Sequence, residues 1–299
     1  MLHLVHLIAR TLSVPADVIA RRELTTAKAA LLGLVEGLTE YLPVSSTGHL
    51  LVTERLIDVG RHQATKYAAD TYTVTIQAGA ILAVLVLYWR RFVEMGRGLV
   101  GRDEPGRRLL TATVVAFIPA AIVGVALEKP IKDRLFGVWP VIAAWVVGGI
   151  VILLVARRLQ ERSRAYGMPL ESLTIRAALL VGFAQCFALW PGTSRSLVTI
   201  LAALLVGLSL PAAVEFSFLL GLLTLGAATA YDGLKHGKEM IDTYGIVHPL
   251  VGLVIAFIAA VVAIRWMVTY LGRHGLEIFG WYRLAIGAVA LLLLATGVL

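Results

Sequence analysis

Six stretches of about twenty residues carry almost no charge, and they decide the solvent in which this chain folds. Residues 72–89, 109–127 and 138–156 have none, while 211–231, 249–270 and 281–299 are interrupted only by Glu215, Arg265 and Arg283. A hydrocarbon core of about 30 Å is crossed by roughly 20 apolar residues in a helix. The whole chain agrees, because 59% of its 299 residues are hydrophobic and 15% are charged, with a mean hydropathy of +0.83. A soluble domain carries about a quarter charged residues, so a soluble globule, a disordered chain and a fibrous repeat are excluded. The single Cys186 excludes an internal disulfide framework and a cysteine-based metal knuckle. A net charge of +8 would suggest nucleic acid in a soluble protein. In a membrane protein it reads as basic cytoplasmic loops beside anionic lipid, and no nucleic-acid partner is expected. The predicted fold class is an all-α polytopic membrane protein.

Two further apolar stretches, 27–57 and 177–206, are each cut in the middle by a polar, proline-containing turn. The first turn reads Pro43-Val44-Ser45-Ser46-Thr47-Gly48 and the second Pro191-Gly192-Thr193-Ser194-Arg195-Ser196. Each half has about 10–15 residues, too few to span. The pattern predicts re-entrant helix–turn–helix hairpins, whose broken backbone is tolerated only where it lines a cavity. Matching Pro43 to Pro191 and Ser46 to Ser194 suggests an internal duplication, with repeats over 27–156 and 175–299. One transmembrane domain over 27–299 then follows an amphipathic extension at 1–26, which lacks the layout of a signal peptide.

Lys and Arg set the orientation. The connections 90–108, 157–176 and 265–283 hold fourteen of them, against eight in 55–66, 129–134 and 235–238. The positive-inside rule places the richer set in the cytoplasm. The first hairpin then enters from outside and the second from inside, the inverted-repeat geometry in which broken helices meet at a midplane site. Tyr88, Trp89, Trp139, Tyr231, Trp281 and Tyr282 fall near span ends and read as an interfacial belt. Arg265 and Arg283 read as snorkelling side chains, and Glu215, in the first turns after Pro211, as a helix-dipole partner.

Charge placed at membrane depth is costly and marks function. Glu36 and Glu40, four apart, share one face of the helix before the first turn. Such a pair repels and needs a cation: a metal ion, His49 or Arg195. An ion-paired strut would need one carboxylate, not two. Past the turn, Ser45, Ser46 and Thr47 precede Gly48 and His49. A capping serine explains one hydroxyl, not three followed by an imidazole. Serine beside histidine supplies a nucleophile and a base, and a helix N-terminus favours phosphate. In the second turn Gly192, Ser194, Arg195, Ser196 and Thr199 combine hydroxyls, free N–H groups and a guanidinium into a phosphate cradle. Gln77, inside a predicted span, could line the cavity or bond across helices. The pair Gly148-Gly149 could pack helices within one chain or in a homodimer.

These residues carry a family resemblance. The run from Val35 to His49 (VEGLTEYLPVSSTGH) and the run from Pro191 to Thr199 (PGTSRSLVT) closely resemble the two signature motifs of undecaprenyl-diphosphate phosphatase, the bacitracin-resistance type of bacterial membrane enzyme. The likeness runs from about Ala27 to the C-terminus and includes Gln77, the segment EFSFLL at 215–220 and Tyr282-Arg283. It departs at the extension 1–26 and at Gly221-Leu222-Leu223-Thr224, where relatives often carry proline and only local helix shape is expected to change. The resemblance implies hydrolysis of undecaprenyl diphosphate to the monophosphate. That regenerates the lipid carrier for peptidoglycan and confers bacitracin resistance, from a site facing the outer side of the bacterial inner membrane.

The combined expectation places the diphosphate between the two tips. Ser46 is the nucleophile and His49 takes its proton or later activates water. Glu36 and Glu40 orient His49 or bind Mg²⁺ or Ca²⁺, with no organic cofactor. Arg195, Ser194, Ser196, Thr199, Gly192, Ser45 and Thr47 hold the phosphates. The rival is a polyprenyl-phosphate flippase or secondary transporter of the same architecture, which would not need a hydroxyl and an imidazole facing an arginine. A non-catalytic binder of the same lipid is a third reading.

Overall fold

The computed structural model describes residues 23–62 and 65–299. The expected amphipathic extension lies, up to residue 22, outside them. Among the described residues eleven α-helices follow one another: α1 (Thr26–Thr39), α2 (Ser46–Leu56), α3 (Lys66–Leu87), α4 (Trp89–Leu99), α5 (Glu104–Leu135), α6 (Val138–Tyr166), α7 (Ile175–Gln185), α8 (Arg195–Leu205), α9 (Leu210–Tyr244), α10 (Val247–Leu271) and α11 (Glu277–Ala295). Two 3₁₀ turns, Leu170–Ser172 and Cys186–Leu189, flank α7. No strand occurs among the described residues, and the only β contact there is an isolated bridge between Met168 and Leu208.

Among the described residues six helices are long and apolar enough to cross a membrane: α3, α5, α6, α9, α10 and α11. Each overlaps one of the six stretches that the sequence marks out, with α3 ending at Leu87 and α11 at Ala295. The chain is therefore an all-α, multi-pass membrane protein. The two interrupted stretches become the short pairs α1–α2 and α7–α8. With 14 residues α1 is the longest of these four, about 21 Å at 1.5 Å per residue, too short to span.

Three segments expected as loops are largely helical. Residues 90–108 contain α4 and the start of α5, residues 128–134 complete α5, and α6 runs on to Tyr166. Charged pairs at helical spacing support them: Lys132 Nζ meets Glu128 at 2.8 Å and Arg157 Nε meets Glu161 at 3.1 Å. On the amphipathic α4, Arg91 pairs with Glu94 at 3.0 Å, with Glu171 at 2.9 Å and with Glu215 at 2.6 Å. Glu215 thus ties α9 to α4 as a structural residue. The Glu171 carboxyl, beyond the spanning helices, is held below the usual carboxylate range by its own backbone N–H and by Arg91.

Each short pair packs on a spanning helix from the other half of the chain: α1 lies against α10, and α7 against α5. Small residues make the first crossing close. A methyl at Gly33 would overlap the Gly252 carbonyl, and one at Gly37 would overlap that of Ala256. The Tyr72 hydroxyl of α3 adds a bond to the Ala29 carbonyl at 2.7 Å. Gly149 of α6 packs against Gly280 and Leu284 of α11, so the Gly148-Gly149 face is used within the chain. One apolar cluster joins Tyr41 and Val44 of the first turn to Leu197 of α8 and to Phe216 and Phe218 of α9.

The α1–α10 crossing predicts that Gly33→Val lowers the thermal midpoint of the detergent-purified protein, with an overpacking cost of about 1–3 kcal/mol. Gly226→Ala, at a helical site with nothing near a new methyl, should leave the midpoint unchanged or raise it slightly.

Candidate active site

Both turns end in the same local device. Ser45 and Ser194 have left-handed backbones, with φ of 74° and 75°, and each is the N-cap of the helix that follows. The Ser45 hydroxyl accepts from the Gly48 N–H at 3.5 Å, and that of Ser194 from the Leu197 N–H at 3.3 Å. Two non-glycine residues held in this region cost of order 1–3 kcal/mol each, strain of the kind that clusters at functional sites. The caps also correct the sequence register. Ser45 corresponds to Ser194, so Ser46 corresponds to Arg195 and not to Ser194. The second turn holds one residue more between proline and cap, and accommodates it with Gly192 at φ 94°.

Ser46 and Arg195 are therefore the first residues of α2 and α8, and one carboxylate joins them. The Ser46 hydroxyl donates to Glu40 Oε2, and Arg195 Nη2 donates to Glu40 Oε1 at 3.1 Å. The pair is almost fully desolvated, with side-chain exposures of 9% and 5%. Arg195 Nη1 donates to the Ser217 carbonyl at 2.8 Å, and the guanidinium lies over the Tyr41 ring, 5.1 Å from its centroid. Its Nε has no partner among the described residues. Ser196 donates to the Leu42 carbonyl at 2.9 Å and lies 3.1 Å from the Ser194 hydroxyl, tying the second turn to the first. Thr199, buried on the next turn of α8, shares a 2.6 Å hydrogen bond with Ser217. Glu36 is fully buried one turn before Glu40, and neither carboxyl oxygen has a partner among the described residues.

The bacitracin resistance protein BacA family model matches residues 29–289 of this chain. The chain is 49% identical over 265 residues to an undecaprenyl-diphosphatase of Sorangium cellulosum, covering 88% of this chain and 84% of that protein. It is 44% identical over 264 residues to undecaprenyl-diphosphatase 2 of Rhodospirillum rubrum, covering 88% and 93%. With an undecaprenyl-diphosphatase of Deinococcus radiodurans it shares 42% identity over 270 residues, 89% of this chain and 94% of that one. The chain belongs to the BacA family.

Within this BacA-family site the histidine stands apart from the serine it was expected to deprotonate. His49 Nδ1 lies 2.7 Å from the Ser45 carbonyl, which only accepts, so Nδ1 carries a proton. Nε2 lies 2.8 Å from the Tyr282 hydroxyl, and the two rings stack. Ser46 instead turns back to Glu40. Thr47 is half-buried beside this cluster, and Gln77, half-buried on α3, lies outside the hydrogen-bond network. Gly192 contributes its carbonyl, which accepts from Arg283.

Several site residues escaped the sequence reading. Trp145, fully buried two turns into α6, donates to the Val44 carbonyl at 3.0 Å and meets His49 edge-on. Its place at mid-span, not at a span end, was the available signal. Tyr282 meets His49 while remaining exposed, as Trp89, Trp139, Tyr231 and Trp281 are, and Tyr88 is half-buried against Phe218. Arg283 does not snorkel: it is fully buried, because α11 begins at Glu277 and places it well inside the helix. Arg265 is exposed, as expected. Gly221 leaves room for Arg195, since a methyl there would overlap the guanidinium. Its consequence exceeds local helix shape. Among the described residues no group of three or more His, Cys, Asp and Glu side chains is gathered to hold a metal ion, so Glu36 and Glu40 stand as a pair.

Glu40→Ala leaves Arg195 charged and buried without its carboxylate. It should destabilise the folded protein by about 3–5 kcal/mol in denaturant or thermal unfolding. The double variant Glu40→Ala/Arg195→Met should recover most of that loss.

Proposed function

We propose that this chain hydrolyses undecaprenyl diphosphate to undecaprenyl phosphate and inorganic phosphate, with the chemistry carried by Ser46, Glu40, His49 and Arg195. The observation that carries the reading is the shared carboxylate. Glu40 accepts from the Ser46 hydroxyl with one oxygen and from the Arg195 guanidinium with the other. Nucleophile, base and phosphate-binding cation thus form one network where two helix N-termini open.

In this mechanism the diphosphate lies between the turns and the prenyl chain leaves sideways into lipid. The Ser46 oxygen attacks the terminal phosphorus while Glu40 takes the hydroxyl proton. The bridging P–O bond breaks, and undecaprenyl phosphate departs with the electron pair. Arg195, through its unpartnered Nε, and the free N–H groups of α2 and α8 offset the charge on the transferring phosphoryl group. His49 then takes a proton from the water that cleaves the phosphoserine, releasing inorganic phosphate and restoring the serine. Ser45, Thr47, Gly192, Ser194, Ser196 and Thr199 form the walls of the cradle. The fully buried, unpartnered Glu36 carboxyl beside Glu40 fits a divalent cation, Mg²⁺ or Ca²⁺. Bound there, the cation would supply charge neutralisation to the diphosphate.

The two hairpins, with matching serine caps and packing exchanged between halves, support an inverted repeat of 27–156 and 175–299. With the basic connections in the cytoplasm, the first hairpin opens outward. The site then faces the outer side of the bacterial inner membrane, where it recycles the carrier for envelope polymers and confers bacitracin resistance. The flippase reading is not favoured, since the relatives are named as diphosphatases and a carrier has no use for a serine held on a base.

Detergent-purified protein should release inorganic phosphate from undecaprenyl diphosphate. Ser46→Ala should lower the rate about a thousandfold or more. Gly221→Ala, which displaces Arg195 without removing it, should lower kcat/KM about a hundredfold. Chelation should stop turnover and Mg²⁺ or Ca²⁺ restore it. Near-normal turnover of Ser46→Ala would overturn covalent catalysis and leave His49-activated water as the direct attacker.

A further inference from the structure

Arg283 is fully buried on α11 and spends its donors on backbone carbonyls alone. Nη2 donates to Ala144 O at 2.7 Å and to Gly192 O at 2.8 Å, Nη1 to Pro43 O at 3.3 Å and Nε to Trp145 O at 3.4 Å. Those carbonyls belong to three separate pieces of chain. Pro43 is in the first turn, Gly192 in the second, and Ala144 and Trp145 in α6. Among the described residues no carboxylate lies within ion-pair distance of this guanidinium. A buried charge without a counter-ion is costly, of order several kcal/mol. An apolar side chain would fill the same volume without that cost, so its retention calls for a purpose beyond filling space.

The surroundings show how it is seated. Gly148 leaves open the space that the guanidinium occupies; a methyl there would overlap it. Trp145 Nε1 grips the first turn at Val44 O from the same stretch of α6. Separately, Ser196 Oγ reaches from the second turn to Leu42 O at 2.9 Å. The turns are thus tied twice, by Ser196 and by Arg283. The neighbouring Tyr282, about 100° further round α11, takes His49 Nε2.

We propose that Arg283 is a positioning residue for the hydrolysis: by binding carbonyls of both turns and of α6 at once, it sets the spacing between Ser46–Glu40 and Arg195. This rests on the hydrolase reading. The planar guanidinium, with five donors in a fixed fork, can serve four carbonyls in divergent directions, which a lysine ammonium with three donors cannot. Its charge also lies behind the two helix N-termini, where it adds to the field that a diphosphate meets.

The test uses Arg283→Lys, which keeps the charge, and Gly148→Ala, which keeps Arg283 but displaces the flexible end of its side chain. For each, phosphate release is measured per folded, monodisperse protein, and amide hydrogen exchange is followed by mass spectrometry. We expect kcat to fall about ten- to a hundredfold with KM within about threefold. Exchange should quicken in peptides covering 41–49 and 190–197 and stay unchanged in α3 and α10. Unchanged kcat in both variants, or exchange raised equally in every helix, overturns the proposal and leaves Arg283 a general stabiliser. Should Arg283→Lys fail to fold, Gly148→Ala decides alone. If the wild type itself releases no phosphate, the hydrolase reading fails, and the exchange pattern still decides whether Arg283 clamps the turns.

Discussion

One buried ion pair, Glu40 with Arg195, is the contact on which the site depends. Its members are 155 residues apart and stand on opposite turns. Two charges taken out of water at membrane depth persist only when each finds the other and most of their remaining donors and acceptors are used. Here the second carboxylate oxygen takes the Ser46 hydroxyl, and a second guanidinium nitrogen takes the Ser217 carbonyl. The arrangement that makes the pair tolerable is also the one that, in the proposed mechanism, holds the nucleophile beside its base and the phosphate-binding cation.

The fold exists to bring those two turns together. Neither short pair of helices can cross a bilayer, and each broken stretch of backbone must be hidden from lipid. The chain hides each on a spanning helix of its other half, α1 on α10 and α7 on α5. Close approach at Gly33 and Gly37 makes the first of these crossings tight. Capping serines then close both turns in strained, left-handed conformations, which leaves the first N–H groups of α2 and α8 free. Strain, buried charge and open helix ends coincide at one place, and each is costly unless an anionic substrate uses it.

Much of this was legible in residues. The spans show because charge is absent from them, and the hairpins because proline and hydroxyl residues interrupt runs of the right total length. Glu36, Glu40, Ser46, His49 and Arg195 stand out because polarity at that depth needs a reason. Partner choice was not legible. Ser46 bonds Glu40 and not His49 because of the direction in which a first-turn side chain points, which spacing alone does not encode. Arg283 looked like a helix-end residue because its helix starts at Glu277, before the apolar run begins. Gly221 and Gly148 carry no chemistry themselves, and their importance lies in the guanidinium that each admits. The two turns match at their helix caps and not at their prolines.

The central claim is that Ser46 becomes phosphorylated during turnover. Protein carrying His49→Ala, in which water attack on the phosphoserine is slowed, can be quenched during reaction with undecaprenyl diphosphate and digested for mass spectrometry. A phosphoryl group on the peptide that contains Ser46, lost on continued incubation, is the predicted result. An unmodified peptide from a variant that still releases inorganic phosphate would contradict the account.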